Sequence, residues 1–135
     1  MTSGMRLLCV DDDASILAVI QEVGIELGFE VEALVNSTHF RKTYERVKPH
    51  VITLDIIMPE VDGIEIIQWL NDIESTSRVI ILSGGGTTYT RYAKTLADAK
   101  GSLWATILAK PFRVADLRAA LIAAAQANPP SAGPV

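Results

Sequence analysis

Cysteine is nearly absent from this sequence: Cys9 is the only one in 135 residues. No disulfide can close within the chain, so its stability must come from a buried core. Cys9 itself lies in the apolar run Leu7-Leu8-Cys9-Val10 and is expected to pack as a small hydrophobe. Positive charge is also short. Twelve Lys and Arg stand against sixteen Asp and Glu, a formal charge of −4, which removes the general attraction for nucleic acid that a basic face provides. No apolar stretch approaches the roughly 18 residues of a membrane-spanning helix, and no charged segment followed by a long apolar one opens the chain. A soluble cytoplasmic protein without membrane contact is the expectation. Internal repeats are lacking too. Ser83-Gly84-Gly85-Gly86 does not have the Gly-x-x-x-x-Gly-Lys-Ser/Thr spacing of a nucleotide phosphate loop.

What is present is a regular alternation. Hydrophobic residues make up 49% of the chain, enough for the core of one compact domain. Arg6 to Val10, Phe29 to Leu34, Val51 to Leu54, Val79 to Leu82 and Leu103 to Leu108 read as strands. Helical periodicity is predicted over Ser15 to Leu27, around Phe40, Tyr44 and Val47, and over Ile64 to Ile73, Tyr89 to Lys100 and Val114 to Ala127. Asp13 is the candidate N-cap of the first helix and Gly28 its stop; Asn36 or Ser37 is the expected cap of the second, which Pro49 ends. The third should turn Ile66, Ile67, Leu70 and Ile73 inward, and the last Leu117, Leu121 and Ala124. Residues 1–127 are expected to form one domain, with 128–135 a flexible tail or the start of a linker. Five strands alternating with five helices imply an α/β fold with a doubly wound parallel sheet covered on both faces. Ligands of such sheets bind beyond the carboxyl ends of the strands.

Those strand ends carry an unusual set of residues. Strand one runs into Asp11-Asp12-Asp13, strand three into Asp55, strand four into Ser83 and strand five into Lys110-Pro111. Carboxylates packed together repel and raise one another's pKa, and a divalent cation on oxygen ligands relieves the repulsion. Mg²⁺ fits best, because it uses one or two carboxylates, keeps waters and recruits a substrate phosphate. An Asp beside such an ion can act as a nucleophile and form an aspartyl phosphate. Lys110 would balance the charge of the transferred group, Ser83 would offer a hydroxyl, and Gly84 would leave the approach open. Singly, each residue has a plainer role as a cap, a solvated loop side chain or a surface lysine. Together, in this order and all at strand ends, they point to one site. The histidines stand apart from it: His39 on the second helix and His50 at the start of strand three are expected to serve surface or capping roles.

The pieces Leu7-Leu8-Cys9-Val10-Asp11-Asp12, Asp55-Ile56-Ile57-Met58-Pro59-Glu60-Val61-Asp62-Gly63, Ile81-Leu82-Ser83-Gly84 and Lys110-Pro111-Phe112 resemble the receiver domains of bacterial two-component response regulators, of the chemotaxis-regulator type. The resemblance spans about Met5 to Ala125 and implies a flavodoxin-like fold with strand order 2-1-3-4-5. It also implies Asp55 as phosphoacceptor and Asp11, Asp12, Asp55 and the Ile57 backbone carbonyl as the Mg²⁺ ligands, Asp12 directly and Asp11 through water. Ser83 takes the place of the switch hydroxyl and Lys110 that of the lysine paired with the phosphoryl group. A one-residue slip in strand one would bring Asp13 into the acidic pair. The implied partners are a histidine kinase or phosphotransfer protein, a downstream effector protein or domain, and a second copy through helix four, strand five and helix five. One departure stands out. Many receivers carry an aromatic three residues before the lysine, where this chain has Ile107, and Trp104 falls on the opposite strand face.

Two other readings compete with this switch. A Mg²⁺-dependent phosphohydrolase working through an aspartyl phosphate would place a second Asp two residues after the nucleophile, where Ile57 stands; many turnovers of an aryl phosphate would reveal it. A pseudo-receiver would act only as an interaction module and would form no phosphoryl adduct. Direct nucleic-acid contact finds no support, since no helix-turn-helix pattern follows Pro111.

Overall fold

The computed structural model describes residues 3–58, 63–84, 87–101 and 103–127. The elements are β1 (Arg6–Val10), α1 (Ala14–Glu26), β2 (Glu30–Leu34), α2 (Phe40–Val47), β3 (Val51–Asp55), α3 (Gly63–Asp72), β4 (Arg78–Ser83), α4 (Thr87–Asp98), β5 (Trp104–Ala109) and α5 (Val114–Gln126). All strand pairs are parallel and the order is β2-β1-β3-β4-β5. This is the doubly wound receiver arrangement that the alternation and the resemblance predict.

Successive side chains of a strand point to opposite faces, so the apolar runs feed two cores. Leu7, Cys9, Ile80 and Leu82 pack with Leu17 and Ile20 of α1 and Leu117 and Leu121 of α5. Leu8, Val10, Ile52, Leu54, Val79 and Ile81 pack with Phe40 of α2, Ile67 and Leu70 of α3 and Ala93 of α4. Every residue of β3, the middle strand, is buried, Asp55 included. Burial pushes the Cys9 thiol up to about 12, as suits the packing role expected of it.

Asp13 caps α1: its Oδ1 accepts from Ser15 N at 3.0 Å, Ile16 N at 3.3 Å and the Ser15 hydroxyl at 2.6 Å. The helix stops at Gly28, whose φ of +99° is open to glycine at little cost. Five expectations need correction. Asn36 and Ser37 do not cap α2, because the Asn36 side chain accepts from Thr38 N and the Ser37 carbonyl from Phe40 N, making a turn ahead of the helix. His39 occupies the cap position without a side-chain bond, so it precedes the helix rather than lying on it. Ile73 is 43% exposed, since α3 ends at Asp72 and Glu74, at φ 54°, turns the chain away. Helix α4 begins two residues before Tyr89 and ends at Asp98, and β5 is shifted by one residue from the expected span. The expected loop residues Pro59 to Asp62, Gly85 and Gly86, and the tail 128–135, lie outside the described residues. Among the described residues no helix is long and apolar enough to cross a membrane.

Candidate functional site

Parallel wiring brings the ends of β1, β3, β4 and β5 to one rim. Strand β1 ends at Val10, and Asp11 follows with its N–H bonded to the Leu34 carbonyl at 3.1 Å. The Asp11 side chain is fully buried. Its Oδ1 accepts from Asp13 N at 2.9 Å, and its Oδ2 lies 2.8 Å from Lys110 Nζ without a well-directed hydrogen bond. Asp12 is exposed. Asp55 closes β3 at 5% exposure, with Oδ1 accepting from Ile57 N at 3.1 Å and Oδ2 3.3 Å from Lys110 Nζ. One carboxylate oxygen from each of Asp11, Asp12 and Asp55 can be chosen so that all three lie within 4.8 Å of one another.

The electrostatics follow from that crowding. Burial pushes the Asp55 carboxyl above its ordinary range, and the nearby Asp11 charge adds to the push; the Ile57 N–H and Lys110 pull the other way without cancelling it. Burial alone would lower Lys110, but its contacts with Asp11 and Asp55 outweigh burial and hold the ammonium above the ordinary lysine value. The Lys110 ammonium contacts two of the three carboxylates, Asp11 and Asp55. A buried acceptor, Asp11 Oδ2, and an all-oxygen donor set fit a hard cation, and Asp11, Asp12 and Asp55 could hold it. Asp13 is not part of this set. Its carboxylate is committed to α1, and the Ser15 hydroxyl and the Ile16 and Ser15 amides hold its pKa below the usual range.

The remaining candidates sit around the same rim. The Lys110 N–H donates to the Ser83 carbonyl at 2.7 Å, tying the end of β5 to the end of β4. Gly84 is exposed, and a Cβ there would approach Lys110 Cδ no closer than 3.9 Å, so its value lies in openness rather than in relieving a clash. The Ile57 side chain is 56% exposed and its N–H holds Asp55. Ile107 is 40% exposed and alternates with Trp104 and Leu108, which pack on the α1–α5 side.

Two residues had no assigned role in the sequence. Gly63 begins α3 so close to the strand exit that a Cβ would lie 2.5 Å from the Ile56 Cα. The Ser83 hydroxyl is bonded to that of Thr90 on α4. A run of three threonines within Thr87-Thr88-Tyr89-Thr90 was the available signal, but it does not say which one meets Ser83.

The chain matches the model of the response regulator receiver domain family over residues 7–122. It belongs to that family. The chemotaxis protein CheY of Thermotoga maritima is 32% identical over 84 residues, 62% of this receiver and 70% of CheY. Sporulation initiation phosphotransferase F of Bacillus subtilis is 28% identical over 116 residues, 86% of this chain and 90% of that protein. The transcriptional regulatory protein PrrA of Mycobacterium leprae is 33% identical over 116 residues, which span 85% of this chain and 47% of PrrA. Among solved structures, a CheY-like receiver domain protein from Methanospirillum hungatei superposes with a TM-score of 0.78 at 21% identity, covering 90% of this chain and 93% of that one. The receiver family consists, in general, of signalling modules rather than enzymes, and membership implies a histidine kinase as partner. Its acidic triad is the kind of site that holds Mg²⁺ in receivers.

Proposed function

We propose that this receiver is a phosphorylation-dependent switch in which Asp55 accepts a phosphoryl group from a histidine kinase or phosphotransfer protein. The placement of Asp55 carries the reading: a buried carboxylate at the end of the central strand, with Asp11 and Asp12 oxygens within 4.8 Å and Lys110 Nζ at 3.3 Å. A carboxylate oxygen of Asp55 attacks phosphorus, and the P–N bond of the donor phosphohistidine breaks. Its electron pair stays on the imidazole while the new P–O bond forms.

Each neighbour has a task in that step. The Ile57 N–H at Asp55 Oδ1 orients the nucleophile. Lys110 faces the charge gathering on the transferred oxygens, Ser83 supplies a hydroxyl donor, and Gly84 leaves the approach open. Asp11 (through water), Asp12, Asp55 and the Ile57 carbonyl would hold Mg²⁺, and the ion would supply positive charge against the charge that develops on transfer. The protein catalyses only its own phosphorylation and dephosphorylation, in the cytoplasm. Phosphorylation adds about −1.5 to −2 charge and biases the α4–β5–α5 surface, which then meets a downstream effector protein or domain, or a second copy.

Intact mass after incubation with acetyl phosphate and Mg²⁺ tests the reading. One phosphoryl adduct is expected on the parent and none on Asp55→Asn. An unmodified parent, or an equal adduct on the variant, would overturn it.

A further inference from the structure

Ser83 faces two ways. Its carbonyl accepts the Lys110 N–H at 2.7 Å, next to the carboxylate cluster. Its hydroxyl is bonded to the Thr90 hydroxyl, seven residues on, in the first turn of α4. Thr90 is only 7% exposed, so water offers that hydroxyl little alternative. On β5, three residues before Lys110, Ile107 has neither hydroxyl nor ring and is 40% exposed. A link from the strand ends to α4 therefore runs through the two hydroxyls.

We propose that Thr90 is a positioning residue that holds the Ser83 hydroxyl and couples phosphoryl occupancy at Asp55 to helix α4. The inference rests on the roles proposed above for Asp55 and Ser83. Proton counting supplies the mechanism. A hydroxyl has one proton to donate and two lone pairs to accept with. In the unmodified protein either oxygen of the pair can be the donor. The terminal oxygens of an ionised aspartyl phosphate only accept, so Ser83 can bond them only by giving its single proton. Thr90 must then donate to Ser83 Oγ, or the pair must separate and leave Thr90 to find another partner. In both cases the state of the phosphoryl group reaches the first turn of α4 through Thr90. No covalent change beyond the phosphorylation of Asp55 is needed.

The test compares hydrogen exchange of α4 amides with and without phosphorylation, at phosphoryl loading matched by intact mass. The parent, Thr90→Val and Thr90→Ser are compared. Thr90→Val keeps the shape and removes the hydroxyl; it should lose most of the phosphorylation-dependent change that the parent shows in α4. Thr90→Ser should retain it. A response in Thr90→Val equal to the parent's, or a loss in Thr90→Ser equal to that in Thr90→Val, would overturn the proposal. A second measurement does not depend on a Thr90 variant folding. The Thr90 methyl resonance should shift on phosphorylation of the parent and shift much less in Ser83→Ala, and equal shifts would likewise overturn it. If the parent takes up no phosphoryl group, the reading of Asp55 fails and this inference falls with it. If the parent is phosphorylated but the Thr90 arms fail, only the coupling is wrong.

Discussion

At the amino-terminal rim of the sheet, Arg6 Nε donates to the Val47 and Lys48 carbonyls at 2.8 and 3.1 Å. Arg78 donates from Nε and Nη2 to the Ala127 carbonyl at 3.1 and 2.6 Å. His50 Nδ1 accepts from Arg6 N at 3.0 Å; burial, with Arg6 and Arg78 nearby, pulls its pKa down and favours the neutral ring needed to accept that bond. At the carboxyl-terminal rim, Asp11, Asp12, Asp55 and Lys110 face one another instead. The two arginines of the first rim end on backbone carbonyls left over by helix termini. The second leaves like charges crowded around a single ammonium. Completed hydrogen bonds tie the first rim to the helix ends, and uncompensated charge marks the second, the rim at which phosphorylation is proposed.

The largest expected effect tests the charged rim. Mg²⁺ at about 100 times its Kd should stabilise the parent by about 2.7 kcal/mol, read as a shift in urea unfolding. Asp11→Asn and Asp12→Asn should each lose most of that gain while Arg78→Ala keeps it. An undiminished gain in both Asp variants would remove the acidic cluster from metal binding.

Next in size is Gly63→Ala, where a Cβ 2.5 Å from the Ile56 Cα has no room. A cost of about 1–3 kcal/mol is expected from overpacking. A wild-type urea midpoint would show that the start of α3 can back away from the strand exit.

At the other rim, Arg78→Ala removes two bonds to the Ala127 carbonyl and should cost about 1–1.5 kcal/mol. Its phosphoryl adduct should form as in the parent. Loss of the adduct would mean that the two rims are not separable.

The smallest effect is one of sign. The folded-state pKa of Asp55 is raised above its unfolded value, so the stability tied to its protonated form is present at low pH and is lost as pH rises through the raised pKa. Without divalent cations, Asp55→Asn should therefore be more stable than the parent at neutral pH, and the gap should close as the medium is made acid. Urea unfolding across that range checks it; a destabilised Asp55→Asn at neutral pH would show that the pairing with Lys110 outweighs the cost of burial.

Much of the scaffold was legible because its signals are local. The runs from Leu7 to Val10 and Val51 to Leu54 alternate between two cores, and the heptad-like steps of Leu117, Leu121 and Ala124 define one helix face. Such periodicities follow from backbone geometry alone. Asp13 was readable as a cap for the same reason. Errors came where a local rule met a competitor. Asn36 chose a turn over a cap, and Ile73 continued the apolar spacing of α3 past the point where Glu74 takes a positive φ.

By itself, then, the sequence determined the order of elements, the parallel wiring and the set Asp11, Asp12, Asp55, Ser83 and Lys110 at the strand ends. Only the tertiary structure decided how those residues pair. Lys110 lies 2.8 Å from Asp11 and 3.3 Å from Asp55, and Ser83 bonds Thr90 rather than standing alone. Strand-end position depends on pattern along the chain, whereas a contact of 3 Å or so depends on how separate elements seat on the sheet. Spacing in sequence does not carry that information.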